Sequence, residues 1–212
     1  KKLIALFGSS DASTECFGPP MAEMLAAVRE RLNGRKDYFV VIKPKGRKGE
    51  YLHEILQNDN RISGWLEGPD VLSVHYDETD KEVCGAGWLI DRMTIGIGNA
   101  GTVMTEAMVH GRPYIAYYPV FAPTPLTERM KRDGFMHDDI RSFKAALSRA
   151  IESPEAVKVP EDWLRQQFDP FDDENALERV VDALFNRSVS DRDDQEQILR
   201  NTPDLKAQSL RP

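Results

Sequence analysis

The stretch that decides the fold spans residues 96–119 and reads GIGNAGTVMTEAMVHGRPYIAYYP. It opens with an apolar strand, continues through a turn of small and polar residues, and then predicts a short helix over 102–110. Gly111 and Pro113 end this helix, because glycine suits the left-handed conformation at a helix C-terminus and proline cannot continue a helix. A second apolar strand follows at 114–118. The stretch therefore predicts a strand–helix–strand unit with a glycine-rich turn at its first corner.

The rest of the chain shows the same alternation of strand and helix. Continuous apolar runs predict further strands, and apolar residues every three or four positions predict the helices between them. Strands that are apolar throughout indicate a parallel sheet covered on both faces. We therefore expect an α/β, Rossmann-like fold with a parallel sheet of five or six strands. The predicted strands are 3–7, 38–42, 71–75, 93–97 and 114–118, and the predicted helices are 19–33, 50–57, 81–91, 102–110, 140–151 and 174–185.

The composition is that of an ordinary soluble globular protein. The chain has 212 residues, of which 41% are hydrophobic and 30% charged, and its net charge is -7. This negative charge argues against nucleic acid or an anionic membrane surface as the main partner. Two cysteines and four histidines without ligand spacing indicate neither a disulfide framework nor a metal site. We expect no metal, and a cytoplasmic location with any contact to the inner membrane made through a larger parent protein.

The expected domain covers residues 1–187, and the polar segment 188–212 is predicted to be a flexible tail. The chain opens directly on a strand and lacks an initiator Met. We interpret it as a domain of a larger parent protein. The segment 121–138, rich in proline and charge, is predicted to be a long loop that serves as a lid or a partner surface.

The candidate binding residues all follow strand ends. Right-handed crossovers place every strand-to-helix turn of a parallel sheet at its carboxyl edge, where ligands bind. We therefore expect the residues after four successive strands to converge. The candidates are Gly8, Ser9, Ser10, Lys43, Lys45, His75, Asn99, Gly101, Thr102 and Glu106.

The Gly98 turn has two interpretations, and the sequence leaves both open. Glycine lets the backbone approach a ligand closely, and a helix start offers unpaired N–H groups and a positive dipole end. The Thr102 hydroxyl either caps the helix or reaches a phosphate oxygen. Glu106 lies one turn further on the same face, and because a carboxylate repels phosphate, its expected partner is a ribose or sugar diol. The alternative is a tight strand-to-helix turn with an N-terminal cap and no ligand.

The segment Lys43–Lys48 carries four cations on a chain that is acidic overall. It is either a phosphate-binding segment or a solvated basic loop. The turn at Gly8 lacks both the GxGxxG spacing of dinucleotide-binding enzymes and the GK[ST] of a P-loop, which argues against a classical NAD enzyme or an ATPase. For His75, a structural role is favoured over a ligand contact.

Three segments carry a resemblance to a known family. They are the strand end Ile42-Lys43-Pro44, the pattern Gly98-x-x-Gly101-Thr102-x-x-x-Glu106-Ala107-x-x-x-Gly111-x-Pro113, and Asp169-Pro170-Phe171. With these segments, residues 1–187 resemble the C-terminal, nucleotide-sugar-binding half of GT-B glycosyltransferases. The likeness is greatest to enzymes of bacterial surface and capsular polysaccharide biosynthesis, to which CDP-glycerol glycerophosphotransferases are related.

The resemblance implies a function and a set of residue roles. Gly101 and Thr102 would hold the nucleotide diphosphate, Glu106 would contact the ribose, and Lys43 and Lys45 would contact anionic groups. The partners would be a nucleotide-activated sugar, a saccharide or lipid-linked acceptor, and the N-terminal acceptor domain of the parent chain, which would complete the catalytic site. The donor is a substrate, so no cofactor is expected, and no catalytic residue is assigned.

Three functional hypotheses follow. The first is the donor-binding domain of a glycosyltransferase or glycerophosphotransferase. The second keeps the fold but changes the reaction to that of a nucleotide-sugar epimerase or hydrolase. The third is a non-catalytic module with a degenerate nucleotide pocket.

Overall fold

The computed structural model describes residues 1–8, 14–44, 58–74, 85–119 and 123–168. Within them lies a six-stranded sheet in which every neighbouring pair of strands is parallel. The strand order is β3-β2-β1-β4-β5-β6. The predicted α/β, Rossmann-like sheet is therefore confirmed. Its strands are β1 (Lys2–Phe7), β2 (Tyr38–Lys43), β3 (Val71–Ser73), β4 (Ile95–Gly98), β5 (Tyr114–Tyr117) and β6 (Met136–His137).

A described helix lies between each strand and the next along the chain, and two further described helices follow β6. They are α1 (Thr14–Leu32), α2 (Ser63–Leu66), α3 (Ala86–Arg92), α4 (Thr102–Val109), α5 (Pro125–Arg132), α6 (Ile140–Glu152) and α7 (Glu161–Phe168), with a 3-10 turn at Pro154–Val157. None of the described helices combines the length and apolar character needed to cross a bilayer.

The chain divides into two compact units, Lys1–Leu164 and Arg165–Pro212, and the whole sheet belongs to the first. The predicted boundary at residue 187, the tail 188–212 and the helices predicted at 50–57 and 174–185 lie outside the described residues. They stay predictions.

Alternate residues of the strands point to opposite faces of the sheet, and each face carries its own apolar cluster. On the face covered by α1 and α6, here called the α1 face, the strands contribute Ile4, Leu6, Val40, Ile42, Ile95, Ile97, Ile115 and Tyr117. On the face covered by α3, α4 and α5, here called the α4 face, they contribute Ala5, Phe7, Val41, Tyr114 and Ala116. The predicted coverage by helices on both faces is confirmed.

Helix α1 starts earlier than the sequence predicts. Its apolar residues at helical spacing are buried as expected, and Gly34, with a φ of 79°, follows its end. However, the helix begins at Thr14 and contains Pro19 and Pro20 inside it. A proline near a helix start removes one backbone hydrogen bond, yet its fixed φ is compatible with the helix. The two prolines therefore do not define the first turn.

The prediction of a long loop over 121–138 is wrong, because α5 and β6 both lie within it. Thr124 is the N-cap of α5 and forms a capping box with Thr127, and proline suits the first helical position that Pro125 occupies. Met130 is buried, so the charged residues of this segment occupy the outer surface of an amphipathic helix. Gly134, with a φ of 83°, ends the helix. The described part of this segment is packed structure at the edge of the sheet.

Candidate functional site

The strand order reverses between β1 and β4, which are neighbours in the sheet. From β1 the chain continues outward to β2 and β3, and it then returns to the other side of β1 as β4. Helix α1 covers one face of the sheet and α4 covers the other. In open α/β sheets this reversal leaves a crevice at the carboxyl ends of the two central strands, and ligands bind there. The last residues of these two strands, Phe7 and Gly98, are paired.

Two of the predicted residues lie beside this crevice: Gly8 directly follows β1, and Lys43 is the last residue of β2. The Gly8 N–H donates a hydrogen bond to the Lys43 carbonyl over 3.0 Å. The half-buried Lys43 side chain points to the α4 face, because it alternates with Ile42 and shares the direction of Val41. Lys43 lies two strands from Gly98, which corresponds to about 10 Å between backbones. The structure thus brings Gly8, Lys43 and the Gly98 turn to one edge of the sheet.

Helix α4 opens at the same edge, and its N-cap is a glycine. The Gly101 carbonyl accepts the first helical hydrogen bond, from the Thr105 N–H at 3.1 Å. Thr102 is the first helical residue, and its side chain makes no capping hydrogen bond. The interpretation of Thr102 as a helix cap is therefore wrong. Both Gly101 and Thr102 are exposed, and no side chain caps the first N–H groups of α4, which begins at this edge of the sheet.

Glu106 lies one turn along α4 from Thr102, and both residues are exposed on the same side of the helix. Its Oε1 is 3.5 Å from the position that a Cβ on Gly87 would occupy. The carboxylate therefore stands beside the first turn of α3.

The glycines of this region have two different physical explanations. A Cβ on Gly98 would lie 2.5 Å from the Tyr114 hydroxyl oxygen and 2.6 Å from the Phe7 carbonyl oxygen, and a Cβ on Gly96 would lie 2.5 Å from Tyr114 Cδ2. These two glycines make room for the Tyr114 ring. Around Gly101, in contrast, no described atom lies within 4 Å of the corresponding position. Of these three glycines, Gly101 is the one whose Cβ position is not approached by the described residues.

Tyr114 is a residue of this region that the sequence reasoning missed. Its ring lies under the turn, and its hydroxyl donates to the carbonyl of Asn99 over 3.5 Å. Burial raises the pKa of this phenol, which therefore stays protonated and remains a donor at neutral pH. The available signal was two glycines on one face of β4 next to an aromatic residue on β5.

A second buried tyrosine and a histidine lie at the ends of the neighbouring strands. The Tyr117 hydroxyl donates to Glu23 Oε2 over 2.5 Å, and burial followed by this contact raises the pKa of Tyr117. His137 is only 7% exposed, and burial, followed by the charge of Arg149, lowers its pKa. His137 is accordingly neutral near pH 7.

The other predicted residues, Ser9, Ser10, Lys45 and His75, lie outside the described residues. Within the described ranges, no group of three or more histidine, cysteine, aspartate or glutamate residues is arranged to hold a metal ion.

The contrast between Thr102 and Thr124 gives a direct test of the turn. We expect Thr102→Val to weaken nucleotide binding and to change the free energy of unfolding by less than about 0.5 kcal/mol, because this hydroxyl is exposed and caps nothing. Thr124→Val is the matched control. It removes a true N-cap and should cost about 0.5–2 kcal/mol without changing affinity. Thermal melts and titration calorimetry on both variants measure the two quantities, and unchanged affinity in Thr102→Val would remove this hydroxyl from the site.

Comparisons with known proteins show the fold. No protein-family model matches the sequence, and no curated protein matches it. Solved structures do match, among them S. aureus MnaA in complex with UDP, with a TM-score of 0.56 and 16% identity over 87% of this chain and 45% of that chain. A UDP-N-acetylglucosamine 2-epimerase matches with a TM-score of 0.53 and 16% identity over 90% of this chain and 44% of that chain. The UDP-GlcNAc 2-epimerase from Neisseria meningitidis, bound to UDP-GlcNAc, matches with a TM-score of 0.52 and 14% identity over 88% of this chain and 44% of that chain.

The fold and these matches together define the class. The chain has a Rossmann-like α/β fold that corresponds to one half of the GT-B fold. It spans less than half the length of each of the three matched chains.

Proposed function

We propose that this chain binds a nucleotide-activated sugar in the crevice between β1 and β4, with the diphosphate at the start of α4. One observation carries the proposal: α4 opens at the point where the strand order reverses, and its N-cap is an exposed glycine whose Cβ position no described atom approaches within 4 Å. A helix start of this kind offers backbone N–H groups and a positive dipole end to an anion. The absent side chain lets phosphate oxygens approach these groups closely.

The surrounding residues fit the other parts of such a ligand. Lys43 points to the face of the sheet on which α4 lies, where its ammonium group would contact the same phosphates. Glu106 lies one turn beyond the phosphate position and would accept hydrogen bonds from the ribose hydroxyls. Two of the matched structures contain UDP or UDP-GlcNAc, which supports a nucleotide sugar as the ligand.

The reaction we propose is transfer from this donor in surface polysaccharide synthesis, either of a sugar or of a related phosphorylated unit. The α4 amides, the helix dipole and Lys43 would stabilise the charge that develops on the departing diphosphate or monophosphate. The acceptor would be a saccharide or a lipid-linked acceptor, bound by an N-terminal domain of the parent protein. The chain described here would supply the donor half of the active site.

Epimerisation of the nucleotide sugar is a second candidate reaction, and it fits the matched fold equally well. Two of the three matches described above are 2-epimerases of UDP-N-acetylglucosamine. Product analysis on the full-length parent separates the two reactions, because transfer requires an acceptor and epimerisation does not. A changed sugar in the absence of any acceptor would decide for the epimerase.

Binding itself is tested by titration calorimetry of the 212-residue chain with UDP, CDP, GDP and CMP. We expect one base to be preferred and the diphosphate to bind more tightly than the bare nucleoside. Heat changes indistinguishable from dilution for all four nucleotides at millimolar concentration would contradict the proposal. That result would favour the non-catalytic module instead.

Lys43 provides a quantitative prediction for the phosphate position. We expect Lys43→Ala to weaken binding of the preferred nucleoside diphosphate by about 1.5–3 kcal/mol, the usual value of a hydrogen bond to a charged group. The nucleoside without phosphate should lose much less, because it offers the ammonium group no anion. Calorimetry with both ligands measures the difference.

Lys36 is the matched control for Lys43. It is an exposed lysine that precedes β2, at the opposite edge of the sheet. Lys36→Ala removes the same charge and should leave both affinities unchanged. Equal losses for Lys43→Ala and Lys36→Ala would indicate a general effect of net charge and would exclude Lys43 from the site.

A further inference from the structure

A buried tyrosine on β5 lies beneath the turn that leads into α4. Tyr114 is paired with Gly96 in the sheet and is 2% exposed. Its ring packs against the ring of Phe7, with 6.3 Å between the centroids. The tyrosine thus packs against the ends of β1 and β4, the two strands that border the crevice.

The ring occupies the volume that side chains on β4 would otherwise fill. Positions 96 and 98 both point to the α4 face, and at each of them a Cβ would lie 2.5 Å from an atom of Tyr114. The tip of the phenol therefore lies directly under Gly98, the last residue of the strand. Any movement of the turn toward the sheet is blocked by this side chain, since protein interiors are closely packed.

The hydroxyl adds a polar contact to this packing. It donates to the Asn99 carbonyl over 3.5 Å, and Asn99 is two residues before the N-cap of α4. The hydrogen bond is part-buried, so losing this donor would remove a partner of the carbonyl at a position with limited access to water. The tyrosine therefore limits the turn by packing below Gly98 and by a hydrogen bond to the next residue.

We infer that Tyr114 is a positioning residue of the nucleotide site: it holds the segment 98–101 in the conformation that presents the α4 amides to the diphosphate. The inference rests on the proposed function for its ligand. It concerns a side chain that does not itself touch the nucleotide, because the backbone of the turn lies between them. Pre-organised donors of this kind bind an anion without a cost of rearrangement.

Tyr114→Phe tests the inference, with Tyr117→Phe as the matched control. Both substitutions remove one buried hydroxyl from β5 and keep the ring, but Tyr117 lies on the α1 face and bonds to Glu23. With the 15N-labelled 212-residue chain, NMR titration gives the affinities for UDP and for uridine. Hydrogen exchange of the amides in 99–102 measures how firmly the turn is held without any ligand.

We expect Tyr114→Phe to weaken UDP binding by about twofold to tenfold, with a smaller change for uridine, and to speed amide exchange in the turn. Tyr117→Phe should leave the turn amides and the ratio of UDP to uridine affinity unchanged. Unchanged exchange and unchanged UDP affinity in Tyr114→Phe would overturn the inference. Equal losses in both variants would also overturn it, because they would indicate a general structural role.

A different result would show that the proposed function itself is wrong. If the wild-type chain does not bind UDP, CDP or GDP, the diphosphate site is wrong and so is the positioning role toward it. Faster exchange in Tyr114→Phe would then identify a purely structural contact to the turn.

Discussion

Replacement of Gly98 by alanine is expected to destabilise the domain by about 3 kcal/mol or more. The added Cβ would lie 2.6 Å from the carbonyl oxygen of Phe7 and 2.5 Å from the hydroxyl oxygen of Tyr114. The tyrosine can move only by leaving a packed position, and the carbonyl belongs to the backbone of the neighbouring central strand. The contact with this carbonyl cannot relax without separating β1 from β4. Chemical denaturation with a fluorescence readout measures the loss.

Gly101→Ala is the control for this prediction, because no described atom lies within 4 Å of its Cβ position. Its backbone is extended, so alanine adds no strain, and the free energy of unfolding should change by no more than about 0.5 kcal/mol. The methyl group would instead lie where we propose that phosphate oxygens bind, and nucleotide affinity should fall. A stable Gly98→Ala variant, or equal stability losses at the two positions, would contradict the assignment of separate roles to these glycines.

The second large effect is expected at the opposite face of the sheet. Phe143 on α6 is fully buried, and its ring lies 5.1 Å from the ring of Tyr117. Phe143→Ala should destabilise the domain by about 3–5 kcal/mol, since it removes a large apolar side chain and leaves a cavity. The nucleotide affinity of the molecules that remain folded should be unchanged, because Phe143 packs on the α1 face and the proposed site lies toward α4.

Lys144→Ala is the matched control for Phe143→Ala. Lys144 is the next residue on α6, and its salt bridge to Glu30 joins two exposed side chains. Its loss should change stability by less than about 1 kcal/mol, as is usual for exposed ion pairs. Denaturation curves, followed by titration calorimetry at a temperature where the variant is folded, test both statements. A loss of affinity that accompanies the loss of stability in Phe143→Ala would mean that the two faces of the sheet are coupled.

Most of the sheet could be predicted from the sequence because buried parallel strands consist of continuous runs of apolar residues. Five strands of the structure overlap the predicted ones, and α4 and α6 begin at the predicted residues. The errors occurred where a different local signal applied. Charge and proline between 121 and 138 suggested a loop, whereas Thr124-Pro125 is a helix start and Met130 supplies the buried face. A two-residue strand such as β6 carries no periodicity from which it can be predicted.

For the candidate site, sequence reasoning placed Gly8, Lys43 and the Gly98 turn at one edge, and the structure brings them together there. This inference works because right-handed crossovers leave little choice of topology. It did not distinguish the roles of the glycines. Gly98 and Gly101 look alike in the sequence, but the Cβ position of Gly98 lies against Tyr114, whereas no described atom lies within 4 Å of that of Gly101.

What the sequence by itself determined is the fold class and the edge of the sheet at which the chain presents its polar residues, because both depend on local patterns and on a general rule of chain direction. Only the tertiary structure decided that Gly101, and not Thr102, is the N-cap of α4, and that Tyr114 lies beneath the turn. The position of Tyr114 depends on the register between β4 and β5, which pairs Gly96 with Tyr114. Register is fixed by how side chains from separate strands pack against one another, and no single segment of the sequence contains that information.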